Sequence, residues 1–127
     1  MSHPAEKYTE IPYDEATFDC ADFVVHVQRE MFGREVMLPN GRPRGIAGQA
    51  ALPDLAGPYG TRTDEPVDGD LVLMKERGRL GHVGVYFWIA HEAWVLHCNE
   101  KTGCSVLHRV RDLPSYGVPI EGFYKWN

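Results

Sequence analysis

Asp68-Gly69-Asp70-Leu71-Val72-Leu73-Met74 and, after a charged interval, Gly81-His82-Val83-Gly84-Val85-Tyr86-Phe87-Trp88-Ile89 decide the fold. In the first, a turn-forming Asp-Gly-Asp feeds a short apolar run, which reads as a strand. His82 to Ile89 reads as a second strand, rich in valine and aromatics. Trp94 to Cys98 predicts a third, Ser105 to Val110 a fourth, and Gly122 to Trp126 a short fifth. Strands in direct succession pair antiparallel, and a helix earlier in the chain covers one face of the sheet. The expected class is α+β, with about five antiparallel strands. Lys75-Glu76-Arg77-Gly78-Arg79, between the first two strands, reads as a solvated turn.

The helix is signalled further upstream. Asp19 is a favourable N-cap, and Asp22 three residues on can return a bond to the cap N–H. Cys20, Phe23, Val24, Val27 and Met31 follow at helical spacing, and Gly33 can take the left-handed conformation that ends a helix. The predicted helix runs from Cys20 to Phe32. Met1 to Thr17 is polar and reads as a surface segment. Pro39 to Pro66 is rich in Pro and Gly and reads as a long connection, with a helical run over Ile46 to Leu55.

At 127 residues the chain fits one domain, residues 1–127. The net charge is −5 and the basic residues are dispersed, so nucleic acid is not an expected partner. No stretch has the roughly 20 apolar residues of a membrane span, and Met1-Ser2-His3-Pro4-Ala5-Glu6-Lys7 is not a leader, so a soluble protein made in the cytoplasm is expected. Three cysteines make a poor disulfide framework, although Cys98 and Cys104 are close enough in sequence to pair.

Three residues suggest chemistry. Cys20 opens the helix, where free N–H groups and the positive helix end favour thiolate. His82 and His97 lie on neighbouring predicted strands. A hairpin turn centred near Ile89 and Ala90 would set them opposite each other on one face. Such an arrangement makes a cysteine nucleophile with His82 as its base, His82 as imidazolium beside the thiolate, and His97 orienting it. Asn99, two residues past His97 on the same face, is the alternate orienting residue. Cys20, His82 and His97 are also a legal zinc set, but no Cys-x-x-Cys spacing accompanies them, and neither metal nor cofactor is expected. His3, His26, His91 and His108 read as ordinary surface residues.

The same residues carry a resemblance. Phe18-Asp19-Cys20-Ala21-Asp22-Phe23-Val24, then Asp68-Gly69-Asp70-Leu71-Val72 with Gly81-His82-Val83-Gly84-Val85-Tyr86, then Val95-Leu96-His97 occur in the order found in NlpC/P60 cysteine peptidases. The chain resembles this papain-like family from about Tyr8 to Asn99, most of all its phage-tail versions, which share a stretch like Val27 to Glu35 followed by Leu38-Pro39. The resemblance implies a papain-like fold with the nucleophile helix on the sheet. It also implies catalytic Cys20, His82 and His97, and hydrolysis of amide bonds in bacterial peptidoglycan peptides, such as that between D-glutamate and a diamino acid. Phage-tail proteins become partners and the virion a destination. The family's upstream tyrosine, which aids the oxyanion site or substrate placement, corresponds to Tyr8 by separation or to Tyr13 by local motif. The family's Gly-Gly pair is missing. An amidase or acyltransferase acting on another amide or a lipid, with Phe87, Trp88 and Trp94 lining an apolar groove, is a second expectation. A non-catalytic tail or wall-binding protein is a third.

Overall fold

The computed structural model describes residues 3–36, 38, 60–76 and 79–127. The expected helical run over Ile46 to Leu55, the Leu38-Pro39 pair as a unit and the tip of the charged interval fall outside that range.

Helix α1 spans Cys20–Phe32, the range its caps predict. Asp19 accepts from the N–H groups of Ala21 and Asp22, the Asp22 carboxylate accepts from the Asp19 N–H, and Gly33 closes the helix with φ 61°. Among the described residues six strands follow: β1 (Gly60–Thr63), β2 (Leu71–Glu76), β3 (Arg79–Ile89), β4 (Glu92–Asn99), β5 (Cys104–Arg109) and β6 (Ile120–Trp126). They form one antiparallel sheet in the order β1-β6-β2-β3-β4-β5. Short 3₁₀ segments occupy Pro4–Tyr8 and Val110–Tyr116.

The sheet has one strand more than expected. β1 lies inside the Pro/Gly-rich connection, and Gly60-Thr61-Arg62-Thr63 has no apolar alternation to betray it. It is held from outside: Arg62 reaches Glu121 at 2.7 Å and the Tyr124 hydroxyl at 3.1 Å, across the pairing with β6.

Both faces of the central strands are covered. On one, Phe23, Val24 and Val27 of α1 pack against Leu71, Leu73, Val83, Val85, Phe87, Leu96 and Cys98. On the other, Val72, Met74, Tyr86 and Val95 meet Leu113 and Val118 around the second 3₁₀ segment. That is why Leu71 to Met74 is an unbroken apolar run: alternate side chains go to opposite cores. The Gly69 carbonyl joins the layers, accepting from Gln28 Nε2 of α1 at 2.8 Å and Trp126 Nε1 of β6 at 2.9 Å.

Two irregularities position the candidate site. Between β2 and β3 the register shifts, with Met74 opposite His82 but Lys75 opposite Leu80, so Gly81 is the extra residue of a bulge immediately before His82. Between β3 and β4 the turn is Ala90-His91, both at positive φ (50° and 66°), and Ile89 pairs with Glu92. This turn lies one residue later than expected, and the difference matters below.

At the outer edge of β5 the N-terminal segment runs alongside. Ser105 N–H donates to the Ile11 carbonyl at 2.8 Å, Glu10 N–H to the Ser105 carbonyl at 2.8 Å, and Tyr13 N–H to the Gly103 carbonyl at 3.0 Å. The buried Ser105 hydroxyl donates to the Tyr8 carbonyl at 2.6 Å and accepts from Ile11 N–H at 2.9 Å. Cys98 and Cys104 are free thiols. Cys98 faces Ser105, while Cys104 faces Asn99, so the two sulfurs point to opposite sides of the sheet and do not pair. Among the described residues, no helix is long and apolar enough to cross a membrane.

Candidate active site

Cys20 is the first residue of α1 and is buried. Its sulfur lies 3.8 Å from the carbonyl oxygen of Gly81, the bulged residue next to His82, so the thiol can donate weakly to that carbonyl. The bulge thus brings the backbone before His82 to the start of the helix. Two N–H groups of the first turn, those of Ala21 and Asp22, are already bonded to the Asp19 carboxylate. The sequence suggested that the open helix start would serve the sulfur and an oxyanion. The cap takes up part of that donor set.

His82 and His97 meet, though not as an opposed pair. With Val85 opposite Leu96, the register puts His97 across from Gly84, and His82 is its diagonal neighbour on the same face. Parity survives the one-residue change in turn position because both ends of the pairing move together. His82 Nε2 and His97 Nδ1 are 2.6 Å apart, with the rings at 77°. Gly84 makes this fit: a Cβ there would stand 3.0 Å from His97 Cβ and 2.6 Å from Val95 Cγ1.

Burial governs the electrostatics. His82 is pushed down to about 4 by loss of solvent, against which the Asp19 carboxylate pulls weakly upward. His97 lies well below its ordinary value, first through burial and then through the neighbouring rings of His82 and His108. Both rings are therefore neutral at pH 7, which corrects the expected imidazolium at His82. A neutral His82 is a proton acceptor rather than a standing counter-ion. Glu76 Oε2 lies 3.6 Å from His82 Nδ1, beyond hydrogen-bonding range.

The two tyrosines separate. Tyr13 is half-buried, and its phenol is pushed far up by burial and then by negative charge at Cys20, Glu100, Asp19 and Glu15. It is a neutral O–H donor in the neighbourhood of Cys20. Tyr8 belongs to the core and packs edge-on to His26, which lies six residues past Cys20 on the helix. Of the two, Tyr13 is the one whose phenol responds to Cys20.

Asn99 is buried but otherwise engaged: its Oδ1 accepts from Lys101 N–H at 2.7 Å and shapes the turn into β5. The ring on His82 is that of His97. His108, expected at the surface, extends the chain: its Nδ1 is 3.1 Å from His97 Nε2, and its ring stacks on Tyr116 with centroids 3.9 Å apart. His26 is half-buried between Tyr8 and Phe18, His3 caps the first 3₁₀ segment, and His91 is exposed in the turn. Among the described residues no group of three His, Cys, Asp or Glu is placed to hold a metal. The ring nitrogens of the histidines face one another instead.

Glu76, Asn99, Glu100, Lys101, Tyr116, Gly117 and Val118 line a cleft of about 540 Å³ beside His82. A separate groove of about 470 Å³ follows the outer side of β5 and includes Trp94, Ile89 and His108. The three aromatics proposed for one apolar groove do not share it: Phe87 is fully buried and Trp88 is exposed. In comparisons with known proteins, no family model, no curated protein and no solved structure matches the chain.

Proposed function

We propose that this chain is a cysteine hydrolase of the NlpC/P60, papain-like kind, cleaving amide bonds in peptidoglycan stem peptides. One observation carries the reading. A thiol at a helix start packs against the residue before a buried histidine, and a second histidine holds that ring at 2.6 Å. These are the side chains, in the order, that the motif resemblance requires.

In the proposed cycle, neutral His82 takes the Cys20 proton as the sulfur attacks the amide carbonyl. Tyr13, held as a neutral phenol, donates to the developing oxyanion. His82 then returns the proton to the leaving amine, and water attacks the thioester with His82 as base. The half-polar cleft with Glu76, Glu100 and Lys101 suits a peptide bearing both charges. The likeness to phage-tail sequences supports a role in opening or trimming the wall during tail assembly or infection.

The test is digestion of purified peptidoglycan with mass analysis of released fragments, against Cys20→Ala. Iodoacetamide labelling near pH 6 supplies a second readout. Cys98 is the internal reference, since burial pushes its thiol up to about 12. Release of stem-peptide fragments that Cys20→Ala loses, with Cys20 labelled fastest, is the expected result. No thiol-dependent release, and Cys20 labelled no faster than Cys98 or Cys104, would leave a binding protein that only keeps the fold.

A further inference from the structure

The histidine chain does not stop at the pair. His82 Nε2 faces His97 Nδ1 at 2.6 Å, and His97 Nε2 faces His108 Nδ1 at 3.1 Å. A neutral imidazole has one donor and one acceptor. Each link needs one proton between its two nitrogens. With three neutral rings, only two arrangements satisfy both links. Either every ring carries its proton on Nε2, or every ring carries it on Nδ1. A mixed arrangement leaves one link with two protons or with none.

We propose that His108 is a positioning residue whose protonation fixes the tautomers of His97 and His82, and that it is the terminus of a proton relay from Cys20. This use of the chain rests on the thiol-hydrolase reading. With all three protons on Nε2, His82 Nδ1 carries a lone pair that can accept a proton, and its backbone neighbour Gly81 is the residue against which the Cys20 sulfur lies. The relay step breaks the Cys20 S–H bond and forms His82 Nδ1–H. The His82 Nε2 proton passes to His97 Nδ1, and the His97 Nε2 proton passes to His108 Nδ1. His108 keeps its own Nε2 proton and becomes the imidazolium, while the sulfur becomes thiolate. One proton is displaced along the chain and nothing is oxidised or reduced. The reverse sequence delivers a proton from His82 to the leaving amine.

The surroundings favour charge at that end. His82 and His97 are fully buried, whereas His108 is half-buried at the groove along β5. Burial lowers His108 as well, but the Asp112 carboxylate opposes it. The groups facing His108 are His97 from β4, Asp112 and Tyr116 from the second 3₁₀ segment, and His3, Glu6 and Glu10 across the groove. Three of these six are carboxylates, which suits a transient cation. Tyr116 lies flat on the ring, 5° from parallel, and keeps Nδ1 aimed at His97.

The experiment uses the unmodified protein labelled with ¹⁵N-histidine. Two-bond nitrogen–proton couplings report which ring nitrogen bears the proton. The same tautomer at residues 82, 97 and 108, with His108 first to gain a second proton on acidification, is expected. Unlike tautomers at 82 and 97, or His82 charging before His108, would overturn the proposal. His108→Phe keeps the stack but removes the acceptor, and should slow Cys20 alkylation near neutral pH about tenfold, the effect of one pKa unit. His108→Asn restores an acceptor near Nδ1 but cannot hold the cation. It should recover the tautomers of 82 and 97 without recovering the pH profile of alkylation. An alkylation profile unchanged in both variants refutes the relay. Uniform tautomers in a protein that releases no peptide from peptidoglycan uphold the chain and defeat the hydrolase reading alone.

Discussion

Acid should unfold this protein through His82 before its carboxylates titrate. The folded ring is held at about 4 by burial, against an ordinary value of 6.5. Between those values the unfolded chain binds a proton at this ring and the folded chain refuses it. Stability is therefore full above the unfolded value and falls as pH drops through about 6.5 towards about 4. Taking the ring from about pH 7.5 to about pH 5 removes about 2 kcal/mol, from the ratio of the two binding polynomials at about 1.36 kcal/mol per unit. His97 shifts in the same direction and adds to the loss. Urea unfolding followed by tryptophan fluorescence reads the effect. At a slope of about 2 kcal/mol per molar, the midpoint should drop by about 1 M. His82→Gln lowers stability at both pH values but should show an acid loss smaller by about 2 kcal/mol. Equal acid losses in the two proteins would refute a neutral, buried His82, and with it the argument that His82 is a base rather than a counter-ion.

Other outcomes follow from single contacts. Gly84→Ala forces a methyl group to within 2.6 Å of Val95 Cγ1 and 3.0 Å of the Leu96 carbonyl. It should cost about 1–3 kcal/mol in urea unfolding and disturb His97, whose NMR signals should move more than those of Trp126. Ser105→Ala leaves the Tyr8 carbonyl and the Ile11 N–H without their shared hydroxyl, and should lose about 2 kcal/mol in thermal melts. His82→Ala should reduce thiol-dependent turnover by about 10²–10⁴, and His97→Ala by less, since it acts through the other ring. Full turnover in His82→Ala would reassign the base.

The helix was legible because its signals agree. A reciprocal Asp19/Asp22 cap, an apolar stripe and a terminal glycine all point to Cys20–Phe32. The strands β2 to β4 were legible from apolar runs whose alternate side chains serve two cores, and β5 and β6 from their shorter apolar and aromatic stretches. β1 was not, because its pairing depends on Arg62 meeting Glu121 and Tyr124, partners far along the chain. At the site, Cys20, His82 and His97 were legible as candidates, and the common face of the two rings was correctly read. Their register was not, because Ala90-His91 makes a two-residue turn without the Asn-Gly or Asp-Gly that marks one. His108 was missed for want of one further step. Carrying alternation across the Glu100-Lys101-Thr102-Gly103 connection puts Val106 opposite His97, and His108 two residues on along the same face.

The placement of β6 separates the sheet into two histories. β2, β3, β4 and β5 are sequential neighbours that can zip together from nearby contacts, and all three histidines ride on them. β1, by contrast, is the edge strand and pairs with β6, with Gly60 waiting for Trp126. Such distant pairings are slow to close. During refolding, the amides of the β3–β4 and β4–β5 pairs should become protected from exchange earlier than those of the β1–β6 margin, so the half of the sheet that carries the three contacting histidines matures ahead of its far border.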